Sequence, residues 1–194
     1  FLKTLIPDFS PKSVLEIGGG FGTLGEILHQ TSGTDIKYID IDLPPIFLIA
    51  YEYIKNSCKL HDDNILKLSL DNKESIQISD LPTFSFLPSW EIEKLSGEID
   101  LFVNFISFQE MEPDILSNYF EIISSNKSIL YHCNRHAKTL DGGDVVKLSD
   151  YPIGNGKIIL DEQCPWHKFY YLPYVKKRYF GGVEENDHAK YDYI

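Results

Sequence analysis

The chain has 194 residues, and its 43% apolar and 13% aromatic content is enough to build one packed domain. The net charge is −11 and the only basic cluster lies at 176–178, so we expect no nucleic-acid partner. No apolar run approaches the ~18 residues of a membrane span, which predicts no membrane contact. An odd number of widely spaced cysteines argues against a disulfide framework or a zinc cage and fits the reducing cytoplasm; they are Cys58, Cys133 and Cys164.

The chain starts close to its first predicted strand. Residues 1–6 are typical of the end of a helix that Pro7 stops, and the first residue is Phe1 rather than Met. We therefore expect a fragment that lacks its natural N-terminal part. The predicted organisation is a single domain over 1–183 followed by a polar tail over 184–194.

The most informative stretch is 14–22, an apolar strand that carries one acid, Glu16, and ends in glycines. Four glycines fall within five positions and surround Phe21; they are Gly18, Gly19, Gly20 and Gly22. Glycines at a strand end let the backbone approach a ligand closely, because no Cβ stands in the way. The apolar spacing over 22–30 then predicts a helix, so the glycines open a helix N-terminus.

Strands and helices alternate after this helix. The predicted strands are 13–17, 36–41, 76–79, 99–104 and 128–133. The predicted longer helices are 45–56 and 113–124. A loop rich in proline and aromatic residues is expected at 83–90, and 60–74 fits no single pattern. The last strand candidates, 157–163 and 168–172, predict a hairpin.

This alternation predicts an α/β fold, a doubly wound and mostly parallel sheet of about seven strands with an antiparallel C-terminal edge hairpin. In such sheets ligands bind beyond the carboxyl ends of the strands. The segments that follow residues 17, 41, 79 and 104 each carry an acid or an amide, so we expect them to converge on one cleft.

Two interpretations of the glycine stretch compete. Gly20, Gly22 and Gly25 match the G-x-G-x-x-G pattern of dinucleotide-binding folds, and Asp40 follows at the distance expected of a ribose-binding acid. This interpretation predicts an NAD-dependent oxidoreductase. Such a match is weak, because the first glycine should stand at the strand exit and Gly20 lies three residues beyond it.

The other interpretation uses Glu16, which orients a glycine loop that needs no pyrophosphate. The Glu16-x-Gly18-x-Gly20-x-Gly22 spacing resembles motif I of class I S-adenosylmethionine-dependent methyltransferases. Asp42-Leu43-Pro44 is similar to the Asp-Leu-Pro that many small-molecule O-methyltransferases carry at the end of the second strand. The resemblance implies that Asp42 accepts hydrogen bonds from the ribose hydroxyls, with Leu43 beside it and Asp40 as the fallback acid.

Four further stretches resemble a bacterial family of sugar O-methyltransferases, over roughly 14–135. They are Tyr38-Ile-Asp-Ile-Asp-Leu-Pro44, Asp100-Leu-Phe-Val-Asn104, Ser107-Phe-Gln-Glu-Met111 and Asn134-Arg135. The resemblance implies a methyltransferase that uses S-adenosylmethionine, releases S-adenosylhomocysteine and methylates a hydroxyl of a small-molecule saccharide. A non-catalytic, truncated methyltransferase fold stays open as a third interpretation, as does a homo-oligomer.

Two more donor contacts follow from the resemblance. Asp80, after the predicted third strand, stands where methyltransferases often place an acid that reads the adenine amino group, although it equally fits a turn cap before Pro82. Asn104, at the end of the fourth strand, would lie at the methionine moiety. The chain has no Asn-Pro-Pro-Phe motif there, which favours an oxygen acceptor over a nitrogen.

A sugar hydroxyl needs a base that takes its proton as the new bond forms. Glu110, in the loop after the fourth strand, is the first candidate, and a capping role at the helix that begins at Pro113 has equal weight. His136, just beyond the fifth strand, is the second candidate. His132 is expected in the core, and His167 to lie in a packed corner. A divalent metal held by Asp100, Asn104 and Glu110 stays open and is not required.

Overall fold

The computed structural model describes residues 6–33, 35–61, 66–68, 74–126, 128–162 and 164. The contacts between residues divide the chain into two compact units. The first unit comprises Phe1–Phe105 with Ile122–Tyr131, and the second comprises Ile106–Glu121 with His132–Ile194. The predicted tail at 184–194 lies outside the described residues, and the single-domain organisation stays a prediction.

Ten strands and three α-helices make up the regular structure of the described residues. The strands are β1 (Ser13–Ile17), β2 (Lys37–Asp42), β3 (Leu66–Leu68), β4 (Ile76–Gln77), β5 (Phe84–Pro88), β6 (Leu95–Ser96), β7 (Leu101–Phe105), β8 (Ile129–Cys133), β9 (Ala137–Thr139) and β10 (Val145–Lys147). The α-helices are α1 (Thr23–Ser32), α2 (Ile46–Ser57) and α3 (Pro113–Ser125). Short 3₁₀ turns cover Ile78–Asp80, Ser89–Lys94, Phe108–Glu110 and Leu148–Asp150.

A six-stranded sheet with the order β3-β5-β2-β1-β7-β8 forms the centre of the fold. The strand pairs β1–β2, β1–β7, β2–β5 and β3–β5 are all parallel. The predicted fold class, a mostly parallel α/β sheet, is therefore confirmed. Every residue of β1 is buried, as expected of a parallel strand that is covered on both faces.

Close packing joins α1 and α2 to the sheet around Tyr38, which is fully buried in β2. A Cβ on Gly25 of α1 would lie 2.8 Å from the Tyr38 ring, so only glycine lets the helix approach this closely. Phe47, Ala50 and Ile54 of α2 are fully buried and belong to the same core. This packing fixes α1 against the sheet, and only residues 18–22 connect the end of β1 to its start.

The strand that lies beside β2 is β5, and here the sequence prediction is wrong. We expected a loop at 83–90, whereas Phe84–Pro88 forms a strand in which every residue is buried. We expected the strand at 76–79, whereas only Ile76–Gln77 is extended and it pairs with β6 in a separate two-stranded sheet. Prolines on either side of 84–87 led to the loop prediction, since proline usually ends a strand.

An antiparallel hairpin is present, but it lies earlier in the chain than predicted. Strands β9 and β10 form it as a two-stranded sheet of their own. Residues 157–162 form no strand, and 168–172 lie outside the described residues. Among the described helices, none combines the length and the apolar character that crossing a bilayer requires.

Candidate functional site

The loop between β1 and α1 is shaped by three glycines with left-handed backbone. Gly18, Gly20 and Gly22 have φ values of 74°, 59° and 80°, a region that side-chain-bearing residues rarely adopt. The amide of Gly18 donates to the carbonyl of Ile41 in β2, at 2.8 Å. The loop is therefore tied to the neighbouring strand where it leaves the sheet.

Asp42, the last residue of β2, holds the outer part of this loop. Its Oδ2 accepts a hydrogen bond from the amide of Gly20 at 2.9 Å, and its Oδ1 accepts one from the amide of Leu43 at 2.6 Å. The side chain is half-buried, so the carboxylate keeps a solvent-facing side. A carboxylate can accept about four hydrogen bonds, and this one has room for further donors from a ligand.

Asp40 lies two residues deeper on the same strand and has no exposed surface. Its Oδ1 accepts a hydrogen bond from the amide of Gly19 at 3.2 Å. A Cβ on Gly19 would lie 2.7 Å from the Asp40 Cγ, so glycine is required here. Asp40, which both interpretations offer as a ribose-binding acid, therefore has no surface open to a ligand in this structure.

Glu16 supports the loop from within the sheet instead of facing outward. Only 4% of its surface is exposed, and its Oε2 accepts a hydrogen bond from the Tyr38 hydroxyl at 2.5 Å. Burial raises the pKa of Glu16 to about 7, although the Tyr38 hydrogen bond acts against the rise and the charge of Asp42 adds to it. Glu16 thus keeps its proton to a higher pH than an ordinary glutamate does.

Asn104 near the end of β7 is also buried, with no exposed surface. Its Nδ2 donates to the carbonyl of Ile17 at 2.8 Å, so it joins the end of β7 to the residue before the glycine loop. The next residue, Phe105, is 38% exposed and makes an edge-to-face contact with Tyr131. In this structure Asn104 positions the loop, and Phe105 is the residue that presents a surface.

Large apolar side chains stand unusually exposed where β1, β2 and β5 end. Phe21 is 69% exposed, Leu43 is 60% exposed and Trp90 is 56% exposed. Since the carboxyl ends of parallel strands meet at one edge of a sheet, these three side chains share the edge that carries the glycine loop. Trp90 was missed by the sequence analysis because β5 was not predicted. Without that strand, nothing in the sequence placed the tryptophan beside the glycine loop.

Asp80 lies at the opposite edge of the sheet, so its predicted placement after a sheet strand is wrong. It ends a 3₁₀ turn that comes before β5. The Nζ of Lys37, at the start of β2, donates to the carbonyls of Ile78 and Leu81 on either side of it. Because the segment at 76–79 does not enter the main sheet, Asp80 is not brought together with the glycine loop.

The second unit contains Glu110 in a network centred on Gln109, which is 1% exposed. The backbone amide of Gln109 donates to Asn134 Oδ1 at 3.3 Å, and Gln109 Oε1 accepts from the amide of Arg135 at 2.8 Å. Gln109 Nε2 donates to Glu110 Oε1 at 3.1 Å, and Glu110 Oε2 forms an ion pair with Lys138. The structure thus brings together two of the quoted stretches, 107–111 and 134–135.

The remaining candidates are placed as follows. His136 is exposed at the start of the β9–β10 hairpin. His132 is largely buried against Phe108 and Tyr151, and burial lowers its pKa while the charge of Asp161 acts in the opposite direction. His167 lies outside the described residues.

The topology of the sheet separates Asp100 from Asn104, which the sequence analysis considered as ligands of one metal ion. Asp100 precedes β7, and its Oδ2 accepts hydrogen bonds from the amides of Lys12 and Ser13 at the amino-terminal edge of the sheet. Four residues of extended chain separate it from Asn104, roughly 13 Å. Within the described part of the chain, no group of three or more potential ligands comes together to hold a metal ion.

No family model matches the sequence, and no curated protein matches it either. Solved structures are similar in fold. The plantazolicin methyltransferase BamL, solved with a triazolic desmethylPZN analog and SAH, is 17% identical over 68% of this chain and 41% of that chain, with a TM-score of 0.47.

Two further structures show the same kind of likeness. The mitomycin 7-O-methyltransferase MmcR is 15% identical over 64% of this chain and 31% of that chain, with a TM-score of 0.44. The mycolic acid cyclopropane synthase CmaA1, solved with SAH and CTAB, is 10% identical over 72% of this chain and 42% of that chain, also with a TM-score of 0.44. The chain spans less than half the length of each of these three proteins.

Proposed function

We propose that this chain is the donor-binding part of an S-adenosylmethionine-dependent O-methyltransferase that methylates a sugar hydroxyl. The observation that carries the proposal is the placement of Asp42. It is the acid at the end of β2 that remains accessible, and it binds the amide of Gly20 in a loop shaped by left-handed glycines. Asp40, on which the dinucleotide alternative depends, is fully buried.

The donor site uses the edge of the sheet described above. Asp42 accepts hydrogen bonds from the two ribose hydroxyls with the lone pairs that Gly20 and Leu43 leave free. Phe21, Leu43 and Trp90 offer apolar surface to the adenine ring, which aromatic and aliphatic side chains bind by stacking. Glu16 and Asn104 act from beneath, because their side chains are buried and hold the strand ends that carry the loop.

When bound, the donor would supply a methyl group on its sulfonium sulfur. The acceptor oxygen would form a bond to the methyl carbon in line as the carbon–sulfur bond breaks, and the sulfur would leave as a neutral thioether. Positioning of the two reactants contributes much of the rate, on the order of 7–11 kcal/mol in well-oriented reactions. We assign the removal of the hydroxyl proton to the Glu110 carboxylate, with His136 as the second candidate. Lys138 and Gln109, which both bind the Glu110 carboxylate, fix its orientation.

A saccharide acceptor is supported by the stretches at 107–111 and 134–135, which resemble those of the sugar O-methyltransferases. The hydrogen bonds of Gln109 to Asn134 and to the amide of Arg135 hold these two stretches against each other. Gln109 is buried and bonded through both its backbone and its side chain, so replacing it would separate the two stretches.

Isothermal titration calorimetry with S-adenosylhomocysteine, and separately with NAD, tests the donor site. We expect the wild type to bind S-adenosylhomocysteine alone, and Asp42→Ala to weaken binding at least 30-fold, about 2 kcal/mol for a lost pair of charged hydrogen bonds. Asp35→Ala, at an exposed aspartate before β2, is the matched control and should bind like the wild type. Binding of NAD, or binding that survives Asp42→Ala, would contradict the donor assignment.

The acceptor is tested by turnover. The wild type is incubated with S-adenosylmethionine and a panel of free and nucleotide-linked sugars, and the release of S-adenosylhomocysteine is measured. We expect release with at least one saccharide and its loss in Glu110→Gln. Donor binding without turnover on any saccharide would contradict the sugar assignment and would favour the non-catalytic interpretation.

A further inference from the structure

The carboxyl group of Asp40 has one hydrogen-bond partner and one oxygen without any. Oδ1 accepts from the Gly19 amide, whereas Oδ2 is fully buried and has no partner among the described residues. The side chain has no exposed surface, so bulk water does not reach it. Buried polar atoms are nearly always hydrogen-bonded, and this exception therefore needs a physical explanation.

The groups around Asp40 are acidic or apolar. Glu16 is its register partner on β1, and Asp42 follows on β2 itself. Phe86 is its register partner on β5 and carries no charge. Tyr38, also on β2, donates its hydroxyl to Glu16 and not to Asp40. No cation among the described residues is paired with either buried acid.

An ionised carboxylate in this place would strongly destabilise the folded chain. Removing a charged carboxylate from water without a paired cation costs several kcal/mol, and two neighbouring carboxylates add repulsion. Protonation removes both penalties and turns the unpaired oxygen into a hydroxyl, which has only one acceptor to find. Burial raises the pKa of Asp40 well above its ordinary value, and the charges of Glu16 and Asp42 raise it further.

We propose that Asp40 is a neutral carboxylic acid that positions the glycine loop, and that loss of its proton releases the loop and weakens binding of the donor. Asp40 is a positioning residue in this role, because it acts through Gly19 and has no surface with which to touch a ligand. The ligand-binding part of the inference rests on the proposed function. The part that concerns the proton does not.

The pH dependence of affinity follows from the fraction of molecules in which Asp40 carries its proton. When only the fraction of molecules with a protonated Asp40 holds the loop ready, the apparent dissociation constant equals the intrinsic one divided by that fraction. Affinity should therefore fall as the pH rises, by up to tenfold per pH unit once Asp40 loses its proton. An ordinary aspartate that anchors a loop by its charge would give the opposite dependence.

Asp40→Asn separates the two cases. Asparagine is neutral and nearly isosteric with the protonated acid; its Oδ1 can accept from Gly19, and its Nδ2 takes the place of the hydroxyl. The melting temperature of the ligand-free chain and its affinity for S-adenosylhomocysteine are measured from pH 6 to pH 8.5 for both proteins. Comparison at each pH cancels the titration of the ligand itself. Asp35→Asn, at an exposed aspartate before β2, is the matched control for melting.

We expect Asp40→Asn to fold and to melt at or above the temperature of the wild type, with an advantage that grows with pH. The ratio of the wild-type dissociation constant to that of Asp40→Asn should rise with pH. Asp35→Asn should show no such growing advantage in its melting temperature. Asp40→Ala, which leaves the Gly19 amide unpaired, should melt below the wild type at every pH.

Three results would overturn the inference: an Asp40→Asn protein that does not fold, one that melts far below the wild type at every pH, or a ratio that stays constant with pH. A wild type that binds no S-adenosylhomocysteine at any pH would contradict the proposed function instead. In that case the melting temperatures alone still decide whether Asp40 carries a proton.

Discussion

The two edges of the central sheet in the first unit treat their polar groups in opposite ways. At the amino-terminal edge, Asp100 accepts hydrogen bonds from the amides of Lys12 and Ser13 and from the Ser13 hydroxyl. Lys37 donates to three carbonyls of the 78–81 turn. The charged groups of this edge are thus occupied by the chain's own backbone.

At the carboxyl-terminal edge side chains are instead left available to a partner. Asp42 is half-buried and has lone pairs left for further donors, and Phe21, Leu43 and Trp90 stand exposed. The contrast teaches that one sheet can separate the residues that stabilise it from those that bind. Substitutions at the amino-terminal edge should therefore lower stability, whereas substitutions at the carboxyl-terminal edge should also change ligand binding.

The largest expected effect is a pH dependence of stability that arises at the carboxyl-terminal edge. The pKa of Glu16 is raised from 4.5 to about 7 in the folded chain. The contribution of protonated Glu16 to the free energy of unfolding is therefore fully present below pH 4.5 and is lost as the pH rises through about 7. The loss amounts to about 3 kcal/mol. Urea denaturation between pH 4.5 and pH 8 should show this decline in the wild type and a shallower one in Glu16→Gln.

Asp40 contributes a decline in the same direction, and the charge of Glu16 raises the pKa of Asp40, so the difference between the wild type and Glu16→Gln measures Glu16 together with its coupling to Asp40. A Glu16→Gln protein whose stability changes with pH as steeply as that of the wild type would contradict this assignment.

Removal of the Asp100 carboxylate should break the amino-terminal edge. Asp100→Ala leaves the amides of Lys12 and Ser13 without their acceptor, which costs about 2–3 kcal/mol of the free energy of unfolding. Chemical denaturation measures the loss. The affinity for S-adenosylhomocysteine, measured well below the melting temperature, should stay within twofold of the wild type; a large fall in affinity would remove the distinction between the edges.

A methyl group on Gly19 should disturb the carboxyl-terminal edge. Gly19→Ala forces its Cβ against the Asp40 carboxyl group, so we expect a loss of about 2 kcal/mol in stability and a loss of donor binding. Gly20→Ala has open space around its Cβ and should lose only the ~1 kcal/mol of left-handed backbone strain. Denaturation and calorimetry on the pair check this order; equal losses would show that the Asp40 contact is not what constrains the loop.

The smallest effect on stability is expected at Trp90, where the effect on binding should be clear. Because the side chain is 56% exposed, Trp90→Ala should change the free energy of unfolding by less than about 0.5 kcal/mol. Its affinity for S-adenosylhomocysteine should fall about tenfold, as expected when an aromatic ring loses a stacking partner. Ile49→Ala, at an apolar side chain on α2 that is 43% exposed, is the control and should bind normally.

Local patterns in the sequence were sufficient for the elements that form the loop. The unbroken apolar run of β1, the glycines after it and the helical spacing of α1 predicted the strand, the turn and the helix that the structure shows. These features are local, because glycine φ preferences and helical periodicity act over a few residues. The same holds for Asp42 at the end of β2.

What the tertiary structure decided is which segments pair and how deep each acid lies. Asp40 and Asp42 point to the same face of β2, and only the packing of Phe86, Glu16 and the loop makes one inaccessible and the other available. Asp80 was assigned to the wrong edge because strand pairing is a contact between distant residues, and no local pattern showed that 84–88 and not 76–79 enters the sheet. Depth and pairing depend on the whole chain, whereas turns and helix starts depend on their neighbours alone.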